Sequence, residues 1–205
     1  MERKALIVVG PQGSGNHMWS KILSLHKDVY GWNHTEYWHP HANEPFNNVW
    51  TAKEELKLDT NYNYFVTSCS IPFVHKGQHL KPKIERIISQ FSRKYVKPII
   101  CYLSRDKNIL EQQQNRVRYK KTYQHAISSL NWVSALYDIN FLSYETLHLY
   151  GKVYLKKLQT NLDFPIDYEN PKIQEIIGID SNYKYIHDPG HQDLDLQVRK
   201  TYEEI

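Results

Sequence analysis

The sequence predicts an α/β fold of three layers, in which helices cover both faces of a mainly parallel sheet. Buried strands and helices alternate along most of the 205-residue chain, beginning with the apolar run at residues 5–9. A glycine-rich turn at residues 10–15 then leads directly into a helix, an arrangement typical of phosphate-binding α/β proteins. Because strands and helices alternate, we expect parallel strands joined by right-handed crossovers.

Each predicted element rests on its own pattern of apolar residues. Strand-like segments rich in apolar residues lie at residues 5–9, 29–32, 64–69, 98–103 and 139–143, and those at 5–9 and 98–103 are typical of strands buried on both faces. Helical patterns follow at residues 16–25, 51–58, 81–95, 108–118, 123–137, 145–161 and 171–177. Residues 33–50 are an aromatic, histidine-rich loop, and the polar tail from residue 180 receives no assignment. With no internal repeat or flexible linker, residues 1–205 are predicted to form a single domain.

Composition limits the function. The formal net charge of +4 is modest and the basic residues are scattered, which favours a small anionic ligand and argues against nucleic acid. Cys69 and Cys101 both fall in apolar runs, where cysteines usually behave as small buried apolar residues. No apolar run approaches the ~20 residues that span a bilayer, and no signal peptide opens the chain. We therefore expect a soluble, cytoplasmic protein with no membrane partner.

The turn at residues 10–15 has the glycine spacing of a P-loop. A strand, a glycine turn and a helix N-terminus create an anion site, because backbone N–H groups converge where the helix dipole favours negative charge. A nucleotide hydrolase needs Lys and then Ser or Thr after the last glycine, whereas this chain has Asn16 and His17. The turn is therefore interpreted as a phosphate loop without metal-dependent phosphoryl transfer. The alternative is a turn that serves tight packing alone.

A second candidate site follows the strand at residues 98–103. Arg105 leaves this strand at the edge of the sheet where parallel α/β folds bind ligands. An arginine at that edge is stabilised by contact with an anion. The alternative is a solvated charge that pairs with the neighbouring Asp106.

Taken together, these segments resemble the sulfotransferases that use 3′-phosphoadenosine-5′-phosphosulfate (PAPS). The glycine loop and Trp19 match the 5′-phosphosulfate motif of that family, and Arg105 matches the arginine of its 3′-phosphate motif. Gln113 stands where that second motif has a serine, and the segment at residues 144–147 matches a late Tyr-Glu-x-Leu motif. The resemblance spans residues 5 to about 165 and implies metal-free transfer of a sulfuryl group to a hydroxyl or amine.

The resemblance also implies the residues that contact PAPS or its product, 3′-phosphoadenosine-5′-phosphate (PAP). These are Pro11, Gln12, Gly13, Ser14, Gly15, Asn16, His17, Met18, Arg105 and Gln113. Gly13 departs from the family pattern, since it stands where the family has a basic residue. Asn16 and His17 replace a pair of threonines but can still donate hydrogen bonds. His17 is also a candidate catalytic residue, which would restore part of the missing positive charge.

A general base must accept the proton of the acceptor group. The resemblance implies a base either after the first helix or after the second core strand. Glu36 is the preferred catalytic residue, His34 is the second choice, and His75 is the third because no histidine occurs at residues 68–72. For Glu36, the alternative is an ordinary solvated carboxylate.

Two other functions stay open at this point. One is a P-loop nucleotide or nucleoside kinase, and the other is a non-catalytic nucleotide-binding module of the same fold, for which Gly13 is the main argument. No metal is expected, because His34, His39 and His41 lack the spacing of a zinc site. We expect a small-molecule or glycan acceptor, for which the aromatic side chains of residues 30–50 offer stacking faces.

Overall fold

The structure, a computed structural model, describes residues 2–32, 44–51, 54–75, 78–118 and 122–178. The strands are β1 (Arg3–Pro11), β2 (Val29–Tyr30), β3 (Tyr64–Ile71), β4 (Phe73–His75), β5 (Gln78–Leu80), β6 (Val96–Ser104) and β7 (Ile139–Ser143). The helices are α1 (Asn16–Leu23), α2 (Asn47–Trp50), α3 (Ile84–Arg93), α4 (Lys107–Arg118), α5 (Tyr123–Ser134), α6 (Tyr144–Leu162) and α7 (Lys172–Ile177). Within the described residues, five strands form one parallel sheet in the order β2-β3-β1-β6-β7. This confirms the predicted α/β class and its mainly parallel sheet.

Two apolar cores lie on opposite faces of this sheet. One core packs α2, α3 and α5 against the side chains of Ile7 and Val9, and the other packs α1, α6 and α7 against Leu6 and Val8. Successive residues of a strand point to opposite faces, so β1 contributes to both cores. A central strand therefore has to be apolar at every position, as residues 5–9 are.

The order of the strands also fixes where a ligand can bind. From β1 the chain runs toward β2 on one side of the sheet, and from β6 it runs toward β7 on the other side. Ligands of open parallel sheets bind beyond the carboxyl ends of the strands, at the point where the connections diverge in this way. That point is the crevice between β1 and β6.

The predicted helix at residues 51–58 is wrong. The helix lies earlier, at Asn47–Trp50, and residues 54–58 are not helical. The carboxylate of Glu44 accepts a hydrogen bond of 2.8 Å from the N–H of Phe46, just before this helix begins. The indole of Trp50 donates a hydrogen bond of 2.7 Å to the hydroxyl of Thr67 in β3. The first of these bonds is local and the second is tertiary, and together they favour a helix at this position.

The antiparallel hairpin of β4 and β5 was not expected from the sequence either. Cys69 and Cys101 are free thiols and both are buried, as predicted. Among the helices of the described residues, none is both long enough and apolar enough to cross a bilayer.

Candidate functional site

The glycine loop forms a tight turn between β1 and α1. Gly13 and Gly15 have φ angles of +92° and +96°, which residues with a Cβ atom rarely adopt. The N–H of Ser14 closes the turn with a hydrogen bond of 3.1 Å to the carbonyl of Pro11. Gly15 precedes the first residue of α1 and provides no side-chain cap, while the first N–H groups of any helix lack partners inside that helix. The loop and α1 thus follow β1 in the order of strand, glycine turn and helix that the sequence predicts.

Three buried, neutral polar side chains form hydrogen bonds that brace this loop. Gln114 donates a hydrogen bond of 2.8 Å from Nε2 to the carbonyl of Gln12, and Thr122 donates one of 2.9 Å to Oε1 of Gln12. Gln114 also accepts a hydrogen bond of 2.8 Å from the N–H of Thr122. All three side chains are buried. The sequence contains no motif that would identify Gln114 and Thr122 as residues that support the loop.

The side chains of Gln12 and Ser14 point into the protein. The hydroxyl of Ser14 is fully buried and donates a hydrogen bond of 2.7 Å to the carbonyl of Pro11. Pro11 is buried as well. These three predicted cofactor contacts therefore shape the loop with their side chains.

The first residues of α1 differ in their surroundings. Asn16 is 7% exposed, and within the described part of the chain no group forms a hydrogen bond with its Oδ1 atom. A buried amide oxygen without a donor costs about 1–3 kcal/mol, so a ligand donor would stabilise it. His17 is exposed, with its ring edge-on to Trp32 at 5.9 Å between centroids. Met18 is half-buried.

Arg105 and Gln113, which follow β6, lie directly against the loop. The Nη1 atom of Arg105 donates to the carbonyl of Gly13, and also to Oε1 of Gln113 at 3.2 Å. A Cβ atom on Gly13 would lie only 2.6 Å from Oε1 of Gln113. Arg105 is 8% exposed and Gln113 is 4% exposed. The structure thus joins the two predicted phosphate motifs in one place.

The neighbouring Asp106 has a different role from the one considered in the sequence. Its Oδ1 atom accepts hydrogen bonds of 2.8 and 3.0 Å from the N–H groups of Asn108 and Ile109, and so caps α4. Its own N–H donates a hydrogen bond of 2.9 Å to Oε1 of Glu145, which follows β7. The side chain of Arg105 is buried against the loop, which differs from the solvated charge that was the alternative interpretation.

Tyr144 completes the cluster from the end of β7. Its ring lies under the guanidinium of Arg105, with 4.2 Å between Cζ and the ring centroid, which is within range of a cation–π interaction. The same ring faces Gly15, where an added Cβ atom would lie 3.2 Å from Cδ2 of Tyr144. The segment at residues 144–147 thus lies against both the glycine loop and Arg105. Tyr144 therefore lies in the same cluster as Gly15 and Arg105, although it was absent from the predicted cofactor contacts.

Glu44 is a buried carboxyl group that the sequence analysis did not single out. Oε1 accepts a hydrogen bond of 2.7 Å from the hydroxyl of Thr67, and another of 3.3 Å from the N–H of Ser68. Burial raises the pKa of Glu44 to about 8, although its three hydrogen bonds, one of them from Phe46, oppose that shift. Its position ahead of a short helix is the one feature of the sequence that could have indicated it.

The three predicted catalytic bases lie in two different parts of the chain. Glu36 and His34 lie outside the described residues, and their proximity to the loop stays a prediction. His75 is the last residue of β4. Among the described residues, no group of three or more His, Cys, Asp or Glu side chains is arranged to hold a metal ion.

Comparison with known proteins adds no family assignment. No protein-family model matches the chain, and no curated protein matches it significantly.

Proposed function

We propose that the chain binds PAPS in the crevice between β1 and β6 and transfers its sulfuryl group to a hydroxyl or amine of a small molecule or glycan. The observation that carries this proposal is the convergence of the glycine loop, Arg105 and Tyr144 at the divergence point of the sheet. A buried guanidinium beside the N-terminus of α1 suits an anionic group.

The residues of the crevice fit the phosphate-bearing part of this ligand. Gly13 and Gly15 form a turn ahead of the first N–H groups of α1, which lack partners inside that helix, and Arg105 adds a charge that stays at any physiological pH. The amide of Asn16 offers a further polar contact at the start of α1. Its oxygen suits a ligand hydroxyl, and after a half-turn of the amide its NH₂ group would suit a phosphate oxygen.

The chemistry of the donor agrees with these side chains. PAPS supplies an activated sulfuryl group that passes in line to the acceptor atom and leaves PAP behind. Donors fixed in the loop stabilise negative charge on the departing phosphate without having to reorganise, because Gln12, Gln114 and Thr122 hold the loop in place. The acceptor must lose a proton, for which Glu36 and His34 are the proposed bases.

Ligand binding tests the first half of the proposal. Thermal unfolding would be followed in a chelating buffer with PAP, and in parallel with ATP and magnesium. A ligand at a hundredfold excess over its Kd stabilises the native state by about 2.7 kcal/mol, a rise of about 5–10 °C in Tm for a chain of this size. We expect that rise with PAP alone. A shift with ATP and magnesium and none with PAP would contradict the proposal and favour a kinase.

Transfer tests the second half. The wild-type chain would be incubated with PAPS labelled in the sulfuryl group and with a panel of phenols, amines and oligosaccharides. Label should appear in at least one acceptor, and Glu36→Gln should lower kcat with little change in the affinity for PAP. Tight binding of PAP with no transfer to any acceptor class would instead identify a non-catalytic nucleotide-binding module.

A further inference from the structure

We infer that the outer edge of the sheet at β7, together with the adjoining parts of α5 and α6, is the contact surface of a homodimer of this chain. The surface consists of six exposed apolar side chains, which are named the β7 patch: Trp132, Leu136, Tyr137, Phe141, Leu149 and Tyr150. This inference is independent of the proposed function, because none of the six side chains belongs to the crevice between β1 and β6.

The exposed large apolar side chains are concentrated in one part of the chain. Among the described residues eight such side chains are exposed, and six of them lie between residue 132 and the kink of α6 at Gly151. Leu149 is 76% exposed and Phe141 is 56% exposed. The other two are Val153, beyond the kink, and Tyr95, which precedes β6. Single exposed apolar residues are common on protein surfaces, whereas a group of them marks an interaction site.

The residues of the β7 patch gather around β7. Leu136 and Tyr137 follow the end of α5 and lead directly into β7. Phe141 lies two residues before the end of β7, a distance of about 7 Å at the rise of a strand. Because α6 begins directly after β7 and packs back against the sheet, Leu149 and Tyr150 lie about 7–9 Å along it, at the level of Phe141.

The backbone of β7 favours a contact between side chains over a continued sheet. In the described sheet β7 is an outer strand, and it pairs with β6. The hydroxyl of Tyr154 accepts a hydrogen bond of 3.0 Å from the N–H of Ser143 and lies 3.5 Å from the carbonyl oxygen of Phe141. These two backbone groups are therefore occupied, which hinders the addition of a strand from another chain.

The area of the β7 patch fits a second copy of the chain. With a surface of about 200 Å² for each large side chain, the exposed fractions of the six residues amount to on the order of 700 Å². The largest apolar patch of a typical monomer measures about 300–600 Å². Each partner in a stable interface of standard size contributes about 800 Å². The patch is therefore larger than a monomer needs and close to what a dimer needs.

The chemistry of the β7 patch also suits a second copy. In a dimer with twofold symmetry the same surface patch meets itself, so charged side chains would be brought close to others of the same sign. The six side chains carry no charge, and four of them are aromatic, a class enriched at the cores of protein interfaces. The nearby cation of Lys152 is paired with Glu169 at 3.1 Å. The patch can therefore face a copy of itself without repulsion.

Analytical ultracentrifugation over a hundredfold range of protein concentration tests this inference. For the wild type we expect the mass to rise with concentration toward twice that of a single chain. Leu149→Glu places an unpaired charge in the contact and should raise the Kd of the dimer at least tenfold, with an unchanged circular dichroism spectrum because the residue is exposed. Tyr95→Asn is the matched control, since it removes an exposed aromatic side chain outside the patch and asparagine tolerates the positive φ there. It should change the Kd by less than twofold.

Three results would overturn the inference. A wild type that stays monomeric at every concentration would leave the β7 patch to a different protein partner. A dimer that Leu149→Glu leaves intact would be formed by another surface. Equal weakening by Leu149→Glu and Tyr95→Asn would indicate non-specific association of apolar surfaces. Should Leu149→Glu change the fold, Tyr150→Ser replaces it, with the same result expected and the same results contradicting the inference.

Discussion

At the scale of single residues, Gly13 determines both the shape and the chemistry of the loop. Its positive φ lets the chain turn, and the space left by its missing side chain is filled by Gln113. Arg105 then bonds to the carbonyl of the same residue. Glycine at this position is therefore favoured by its positive φ and by the packing of Gln113, and does not by itself indicate a loop that has lost its ligand.

Gly13→Ala should lower the free energy of unfolding by at least about 1–2 kcal/mol, the cost of a left-handed residue with a Cβ atom. The contact with Gln113 adds to this cost. Urea denaturation of the wild type and the variant would measure the difference. The double variant Gly13→Ala with Gln113→Ala should recover the part of the stability that is lost through the contact with Gln113. The part that is lost through the positive φ should remain. Equal stability of Gly13→Ala and the wild type would contradict this account of the loop.

At the scale of elements, α6 is divided at Gly151. This residue has φ +48° and ψ −124°, which are not helical values, so the helix is kinked there. Beyond the kink, the hydroxyl of Tyr154 accepts a hydrogen bond of 3.0 Å from the N–H of Ser143, at the end of β7. Ser143 also caps the start of α6 through its hydroxyl, which accepts a hydrogen bond from Thr146. The kink thus returns the second half of α6 to the strand from which the first half begins.

Gly151→Ala should destabilise the chain by about 1–3 kcal/mol, because strained backbone angles of this kind cost that much for residues with a side chain. Steric contact contributes nothing to this cost, since an added Cβ atom would meet no atom within 4 Å. Val153→Ala, an exposed position on the same helix, is the control and should change stability by less than about 0.5 kcal/mol. Thermal and urea denaturation would measure both variants. Similar effects of the two substitutions would argue against a strained kink.

At the scale of the whole molecule, Glu44 links the sheet to the layer that contains α2. β2 pairs with Tyr64 and Phe65, at the start of β3, so β3 continues past the end of β2. Further along β3, the N–H of Ser68 donates a hydrogen bond to the side chain of Glu44. In the folded chain the pKa of Glu44 is about 8, above its ordinary value of 4.5. The folded state therefore binds this proton more tightly than the unfolded state, so the contribution of Glu44 to stability is highest below pH 4.5 and falls until the pH passes about 8.

Between pH 5 and 8 this group should lower the free energy of unfolding by up to about 1.4 kcal/mol for each unit of pH. Glu44→Gln keeps a polar group at the site but does not titrate, so its stability should change less across this range. Urea denaturation at several pH values would show the difference. Glu85→Gln, on the exposed side of α3, is the control and should keep the wild-type slope. If the free energy of unfolding of Glu44→Gln falls with pH as steeply as that of the wild type, this role of Glu44 is contradicted.

The sequence predicts those parts of the fold that depend on local patterns. Apolar runs identify the main buried strands, glycine spacing identifies the loop, and the position after β6 identifies Arg105 as a residue of the ligand edge. What the sequence does not predict depends on tertiary contacts. Such contacts join residues from different elements and follow no repeating pattern. Examples are the packing of Gln113 against Gly13, the hydrogen bonds of Gln114 and Thr122 to Gln12, and the burial of Glu44.

The three side chains that brace the loop are neutral groups and form no ion pair with one another. Gln12, Gln114 and Thr122 hold the loop through amides and a hydroxyl, whose hydrogen bonds do not depend on ionic strength as ion pairs do. The shape of the loop should therefore stay the same as the ionic strength changes.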